Sequence, residues 1–417
     1  MKSALLQGFA FLAFAICSGG YSWAQGTPVP LTLQQAIDLA RTRNPALLSG
    51  RQHVSATRAN EITAGMRQNP NLTLSGSDVT LSADNPGNPY SYAANVSRLF
   101  ERGDKRRWRM EAAQANTLAT ASQYRDAEGQ AILAVKQAFT QMLAAKAAVK
   151  VAYENLDGYR RTVELSQHRL AAGDISATDF ERIDLQLSEF ESDDDAAKLS
   201  LTQANNQLQL LLGNEKADAA FDIAGTLEPP SLSLEIADLE RRAVSNRPDY
   251  LAAQQAVQVA EANAKLAIAN GTADPTLGAE YDRSGNDNSA GFQFNIPLRI
   301  FDRNQGEKER TRFEVESSRL AAQAAHNQVI SDVDQAWSAY LAATKQAQRY
   351  NNRYLAQATR VRDNLEYSYR HGGTTLLDYL DALRDFRQIS LDTVNANARV
   401  WSSIHQLSFV TASEVAP

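Results

Sequence analysis

Four landmarks recur in the same order in the two halves of the chain. Asn44-Pro45, Asn69-Pro70, Phe100-Glu101-Arg102-Gly103 and Gly173, with Asp179 six residues on, mark the first half. Asn246-Arg247-Pro248, Asp274-Pro275, Phe301-Asp302-Arg303-Asn304 and Gly372, with Asp378 six residues on, mark the second. The offsets are 203 (Pro45 to Pro248), 205 (Pro70 to Pro275), 201 (Phe100 to Phe301) and 199 (Gly173 to Gly372). Nearly constant spacing in one order indicates a duplicated unit, so whatever this chain folds into, it builds twice. The expected division is a first repeat over 25–213, a linker over 214–233 and a second repeat over 234–417.

Each unit reads as helix, strand, strand, helix, helix. A helical pattern opens at Leu31-Thr32-Leu33-Gln34-Gln35-Ala36-Ile37-Asp38-Leu39-Ala40 and continues to about Arg67, and Pro70 or Pro275 then bars it. After the strands comes a very long helix rich in Ala, Gln, Glu and Arg, about 104–171 in one unit and 304–370 in the other. A glycine turn reverses the chain, and a shorter helix returns to about Leu212 or Val410. At the helical rise per residue, the long helix spans roughly 100 Å. The two shorter helices of the first unit, about 32–67 and 175–212, sum to a similar length, so they can stack end to end beside it. Helices this long and Ala-rich do not fit inside a globule of this size; they lie side by side as coiled-coil-like staves.

The strands are expected at about 71–81, 90–99, 276–283 and 290–298. Phe292, Phe294, Ile296 and Leu298 alternate with Gly291, Gln293, Asn295 and Pro297, and Leu72 and Leu74 alternate with Thr73 and Ser75. Leu277, Ala279 and Tyr281 alternate in the same way with Gly278 and Glu280. This is the period of a strand with two unlike faces, at the length a tilted strand needs to cross a bilayer. Between them, Asp84-Asn85-Pro86-Gly87-Asn88-Pro89 and Ser284-Gly285-Asn286-Asp287-Asn288 read as polar loops. Four strands cannot close a barrel, and lipid tolerates no open edge. Two copies give a barrel filled by its own side chains, whereas three give twelve strands and a passage.

The N-terminus reads as a secretory signal peptide over 1–24: Met1-Lys2-Ser3, an apolar run from Ala4 to Cys17, and Ser22-Trp23-Ala24 before the cut. Cys17 follows the bulky Ile16, which disfavours lipidation, so it is assigned to the removed segment. The mature chain then lacks cysteine, which excludes disulfides, thiolate metal sites and cysteine nucleophiles. With 42 basic and 48 acidic residues and no basic stripe, nucleic acid is not an expected partner. No Walker loop, nucleophile elbow or zincin motif is present, so an enzyme is not expected.

These residues resemble the TolC-like outer-membrane efflux family across essentially the whole mature chain. The carrying stretches are Leu31-Thr32-Leu33 to Asn44-Pro45, the glycine turns with their aspartates, and above all Leu377-Asp378-Tyr379-Leu380-Asp381-Ala382. Ile296-Pro297-Leu298 with Phe301-Asp302-Arg303-Asn304-Gln305-Gly306 is similar to the branch serving heavy-metal (cobalt-zinc-cadmium type) pumps. The resemblance implies a mainly α fold with membrane β: a homotrimer with a twelve-stranded β-barrel in the outer membrane and a twelve-helix α-barrel in the periplasm, the 214–233 linker lying at its equator. It implies a passive exit duct without cofactor, engaged by a periplasmic adaptor protein and an inner-membrane RND-type pump, conducting metal cations. A duct for drugs or other small molecules stays open under the same fold, as does a periplasmic coiled-coil scaffold with the hairpins as binding tips.

Asp378 and Asp381 are three apart, on one helix face, and in a trimer they place six carboxylates around one axis. Thr375-Leu376-Leu377-Asp378 also fits a helix cap, which Asp381 does not serve. The family motif implies that both aspartates line the periplasmic constriction. It further implies a closing contact between Asp179 and Tyr369, although Ser176-Ala177-Thr178-Asp179 has a capping reading too, and Thr374 stands where some members carry an arginine. Gly173, Gly372 and Gly373 read as hairpin turns and, by resemblance, flank the adaptor-docking grooves. His168 and His371 lack partners at ligand spacing, so no metal site is expected there. Asp193-Asp194-Asp195 reads as a solvated face, and Trp108, Trp337 and Trp401 as packing anchors.

Overall fold

The computed structural model describes residues 30–77 and 90–416. The expected signal peptide with Cys17, the last residues of the first expected strand (78–81) and the loop Asp84–Pro89 lie outside the described residues.

Helix α1 (Leu33–Arg43) opens with a reciprocal cap: the Thr32 hydroxyl accepts from the Gln35 amide, and the Gln35 side chain accepts from the Thr32 amide. It does not run on to Arg67. Asn44 ends α1 and caps α2 (Pro45–Gly65). Pro45 has no N–H and cannot extend the preceding helix, but it is well suited to begin one. The same break at Arg247-Pro248 separates α5 (Ile236–Asn246) from α6 (Pro248–Asn270). Asn44 also donates to the carbonyl of Leu211 at 2.9 Å, pinning the break to the far end of the return helix α4 (Ala177–Leu211).

Helix α3 (Lys105–Ala172) is unbroken over 68 residues. Its counterpart is not. Instead of one helix over 304–370, α7 (Gln305–Arg349) passes through a π-helical turn, Tyr350–Tyr354, into α8 (Leu355–Arg370). No helix breaker stands in this turn. The turn coincides with lateral contacts: Asn351 and Asn397 exchange side-chain bonds, one of 2.7 Å, and Tyr350 packs against the core beside α9 (Leu376–Val410). A widened turn is how a helix absorbs one extra residue. At the tips, Gly173 (φ 81°) and Gly372 (φ 73°) close α3 and α8 with the same pair of bonds. Asp174 N–H reaches Arg169 O, and Gly373 N–H reaches Ser368 O, both at 2.8 Å.

The strands β1 (Asn71–Ser77), β2 (Ser91–Leu99), β3 (Thr276–Ser284) and β4 (Asp287–Asn295) form one antiparallel sheet in the order β1-β2-β3-β4. β4 starts earlier and stops earlier than the expected 290–298. Gly285-Asn286 makes a two-residue turn with Gly285 at φ 59°, so Asp287 already pairs with Ser284. At the other end Pro297 offers no N–H for the ladder. Entry from the sheet into the long helices is duplicated too, since Asp104 and Asn304 both sit in the left-handed region, at φ 57° and 62°.

Among the described residues the buried apolar side chains gather in separate clusters along the helices. One apolar cluster joins α1, α3 and α4 to Ile223 of the linker, a second joins α5, α7 and α9, and a third ties Leu156 and Tyr159 of α3 to Ile183 and Phe190 of α4. Alanines supply many of the buried positions along the seams. Small side chains there let helices run close together over a great length.

Candidate functional site

The sheet is sorted by register into two unlike faces. Directly paired residues in an antiparallel sheet share a face. Leu72 faces Val96, Ala94 faces Tyr281, Leu277 faces Phe294 and Ala279 faces Phe292. Leu74 and Tyr92 join them on the same side by the alternation of each strand. The opposite side carries Thr73, Ser75, Asn95, Glu280, Asp282 and Gln293, where Asn95 donates to Glu280 at 3.3 Å. Phe292 is 92% exposed in the single chain, and Leu72, Leu74 and Phe294 are exposed with it. An apolar face of this extent is not left against water. Among the described residues both edges, β1 and β4, have their backbone groups unpaired on one side. The chain is thus an arc with an oily outside, a wet inside and two unfinished margins. No described helix is long and apolar enough to cross a membrane.

At the far end of the staves, the glycine turns stand in open space: a Cβ added at Gly173 or Gly372 meets nothing within 4 Å. Thr375 caps α9, and Asp378 sits in its first turn, bonded back to the cap. Its carboxylate accepts from the hydroxyls of Thr375 at 2.6 Å and Thr374 at 3.2 Å, while its amide donates to Thr375 Oγ1 at 3.2 Å. The Thr375 hydroxyl, followed by that of Thr374, holds this carboxyl below the usual carboxylate range, so it stays charged. Thr374 is therefore part of the aspartate's own hydrogen-bond set. Asp381 is exposed a turn further along and pairs with Arg384 at 3.3 Å.

Asp179 and Tyr369 are not bonded to each other within the chain. Ser176 donates to the Asp179 carboxylate at 2.8 Å and accepts from its amide at 3.1 Å, the cap geometry. Tyr369 is buried, stacked on Tyr379 with ring centres 5.2 Å apart and with the Arg169 guanidinium 5.1 Å from its centre. The sequence singles out Tyr369, but as a partner of Asp179 and not of Tyr379. Tyr379 bonds Thr162 at 3.1 Å, and Tyr159 stacks on Phe190 and donates to Ile183 O at 2.8 Å. Burial pushes the hydroxyl of Tyr159 well up and that of Tyr379 up, so both remain neutral. The available signal was Tyr379 itself, an aromatic inside the Leu377–Ala382 stretch.

The remaining candidates fall out as follows. His168 is exposed, and His371 rests on the Tyr367 ring at 4.1 Å; among the described residues no cluster of His, Cys, Asp and Glu is arranged to hold a metal. Asp194 is not solvated: it is buried, paired with Lys198 at 2.5 Å, because the second position of the acidic run faces the interior of the helix bundle. Asp193 pairs with Arg387 at 3.0 Å. Trp337 and Trp401 pack against the second core cluster, but Trp108 lies between two cations, Arg107 and Lys265, each 4.8 Å from its ring.

A two-faced membrane sheet carried on a shaft of paired long helices defines the class, an outer-membrane channel protein with a helical extension. The outer membrane efflux protein family matches this chain over 36–214 and again over 239–413, and the chain belongs to that family. It is 28% identical over 281 residues to the cobalt-zinc-cadmium resistance protein CzcC of Cupriavidus metallidurans, covering 66% of this chain and 65% of that protein. It is 26% identical over 318 residues to the cation efflux system protein CusC of Escherichia coli, covering 72% of this chain and 68% of that one. A crystal structure of CusC superposes with a TM-score of 0.79 at 21% identity, over 92% of this chain and 93% of the other. The open state of the MtrE outer membrane channel of Neisseria gonorrhoeae gives 0.76 at 20% identity, over 92% and 89%.

Proposed function

We propose that three copies of this chain close a twelve-stranded barrel in the outer membrane and continue it as a twelve-helix duct through the periplasm, through which metal cations leave the cell passively. The observation that carries the reading is the four-stranded arc with one apolar face, one polar face and both edges open. Such an arc satisfies its backbone in lipid only by joining neighbours. Its similarity to CzcC and CusC, named for metal resistance and cation efflux, supports metal cations as the cargo. An exit duct performs no energy-coupled step, so the reading includes a periplasmic adaptor docked beside Gly173, Gly372 and Gly373, and an inner-membrane RND-type pump.

The gate in this reading is the tip. Asp378 and Asp381 from three copies form a ring of six carboxylates that attracts cations and lets multivalent ones block the pore. Asp378 is kept ionised by its threonine donors, which supports this role. Asp179 and Tyr369, which do not meet within one chain, act in opening only if the tips rearrange or meet across copies. The 25–213 and 234–417 repeats then supply alternate staves, joined at the equator by 214–233.

The test begins with fractionation: the protein pellets with outer membranes and runs as an SDS-resistant trimer, whereas a periplasmic scaffold stays soluble. In planar bilayers the double variant Asp378→Asn, Asp381→Asn loses most of the block by divalent and trivalent cations. Unchanged block removes the two aspartates from the gate.

A further inference from the structure

The sheet register places Arg98 opposite Leu277, and Leu277 opposite Phe294, on the apolar face at the end from which the long helices depart. An arginine there is not lumenal. It opens a stretch that the duplication repeats with an offset of 201: Arg98-Leu99-Phe100-Glu101-Arg102 and Arg299-Ile300-Phe301-Asp302-Arg303. Apolar side chains stand out beside these cations, with Phe301 90% exposed and Leu298, Ile300 and Phe100 exposed as well. In the first repeat the band widens into a cleft of about 910 Å³, lined among others by Arg67, Arg98, Phe100, Arg106 and Arg107.

Three of the local carboxylates are already taken, while Asp104, which also lines the cleft, is exposed and has no ion pair among the described residues. Glu101 holds Arg109 with both oxygens, Asp274 holds Lys105 at 2.6 Å and the Arg102 amide at 2.8 Å, and Glu111 holds Lys265 at 2.9 Å. Among the described residues Arg98, Arg102, Arg106 and Arg107 have no acidic partner; Arg98 lies over the Phe100 ring at 5.3 Å, and Arg106 bonds only the carbonyl of Gly65. Planar guanidinium groups without carboxylates match phosphate oxygens in two-pronged fashion. Their place decides which phosphate: the cations are interleaved with the last aromatic residues of the apolar face, Arg98 level with Phe294 and beside Phe100, where a bilayer passes from acyl chains to headgroups and where arginine stems snorkel.

We propose that the Arg98, Arg102, Arg106 and Arg107 cluster, with its repeat at Arg299 and Arg303, is a docking surface for the headgroup phosphates of anionic phospholipids in the periplasm-facing leaflet. It rests on the sheet being a membrane barrel and adds a lipid partner to that reading. Each bound headgroup fixes the depth at which barrel gives way to shaft, and the duplication provides two such contacts per copy.

The experiment uses the full-length assembly with phosphatidylglycerol and phosphatidylcholine as probes. Insertion into vesicles of either lipid is read by protease protection, and lipid retention by native mass spectrometry of the released complex. The expected result is insertion into both, with phosphatidylglycerol retained selectively and released by salt. The variant R98Q/R102Q/R106Q/R107Q binds it more weakly by about five-fold per arginine removed, roughly six-hundred-fold together. The set of Arg→Lys replacements at the same positions keeps a reduced preference. Should the glutamine variant fail to assemble, the salt dependence of wild-type retention and the single variant R98Q decide the matter. Insertion without preference between the lipids overturns the proposal and leaves the barrel standing. Competition by millimolar inorganic phosphate as effective as by lipid overturns it too, since the site then serves a soluble anion. Failure of the wild type to insert into any vesicle overturns the barrel reading and the proposal with it.

Discussion

Replacing Phe292 by arginine tests which side of the sheet meets lipid. Phe292 lies past the middle of β4, opposite Ala279, on the apolar face. Its neighbour Gln293 lies opposite Gly278 on the other face. An arginine facing acyl chains at the bilayer midplane costs about 2–4 kcal/mol, falling to about 0–1 near the interfaces. Phe292 stands one same-face row inside the Arg98–Leu277–Phe294 level, so its cost lies between these limits at about 1–3 kcal/mol, and three copies multiply it to about 3–9 kcal/mol per assembly. Gln293→Arg points into water and changes stability by at most about 0.5 kcal/mol per copy. Folding into phosphatidylcholine vesicles, titrated with urea and read from the heat-modifiable band on gels, reports the difference. Phe292→Arg shifts the midpoint far down or abolishes insertion, while Gln293→Arg stays close to wild type. Equal effects of the two refute the two-faced sheet as a lipid–lumen boundary, and a larger effect at Gln293 inverts it.

Other expectations follow from buried groups away from the membrane. His405 is buried and bonded to Thr140 at 3.0 Å; burial, then the charge of Lys136, lower its pKa from 6.5 to about 4. The unfolded chain takes up the proton first, so this stability is complete above pH 6.5 and is lost as pH falls toward 4, by about 3 kcal/mol. Denaturant titrations at pH 7 and 4.5 show a smaller pH effect in His405→Gln than in wild type. Arg247 is buried between Asp249 at 3.0 Å and Asp332 at 2.7 Å. Asp332→Ala costs roughly 2–3 kcal/mol in the same assay, whereas Arg247→Met, which removes the buried charge along with its need for partners, costs less. Gly213 has φ 85° and an added Cβ would lie 2.6 Å from Arg43 O, so Gly213→Ala destabilises by about 1–3 kcal/mol or more. Gly306 lies in α7 facing open space, and Gly306→Ala raises the stability by about 0.4–1 kcal/mol in that assay.

What could be read directly was whatever local chemistry enforces. Alternation marked the strands because a pleat alternates, and the glycine turns were visible because positive φ selects glycine. Pro45 and Pro248 were equally visible but ambiguous, since proline both ends one helix and begins the next. The features that escaped involve partners distant in sequence. The π-helical turn at Tyr350–Tyr354 contains neither proline nor glycine, and its Asn351 is bonded to Asn397, more than forty positions away. Asp194 looks like its neighbours until the orientation of α4 against the bundle is known. Charge around Arg98 was countable in the sequence, but its face became definite only with the pairing of β2 and β3. At the tip, Asp378 and Asp381 were legible as a motif; the Tyr369–Tyr379 stack beside them was not, because two short aromatic segments meet there across a turn.

The unfinished margins of the arc bear on inheritance. A copy with a damaged β1 or β4 can still offer its sound margin to a neighbour, and so it enters the ring and spoils it. In a cell making sound and damaged copies equally, random mixing leaves roughly one ring in eight wholly sound. Lesions at those two strands are therefore expected to behave as dominant, while lesions that keep the whole chain from folding are silent in the presence of a good gene.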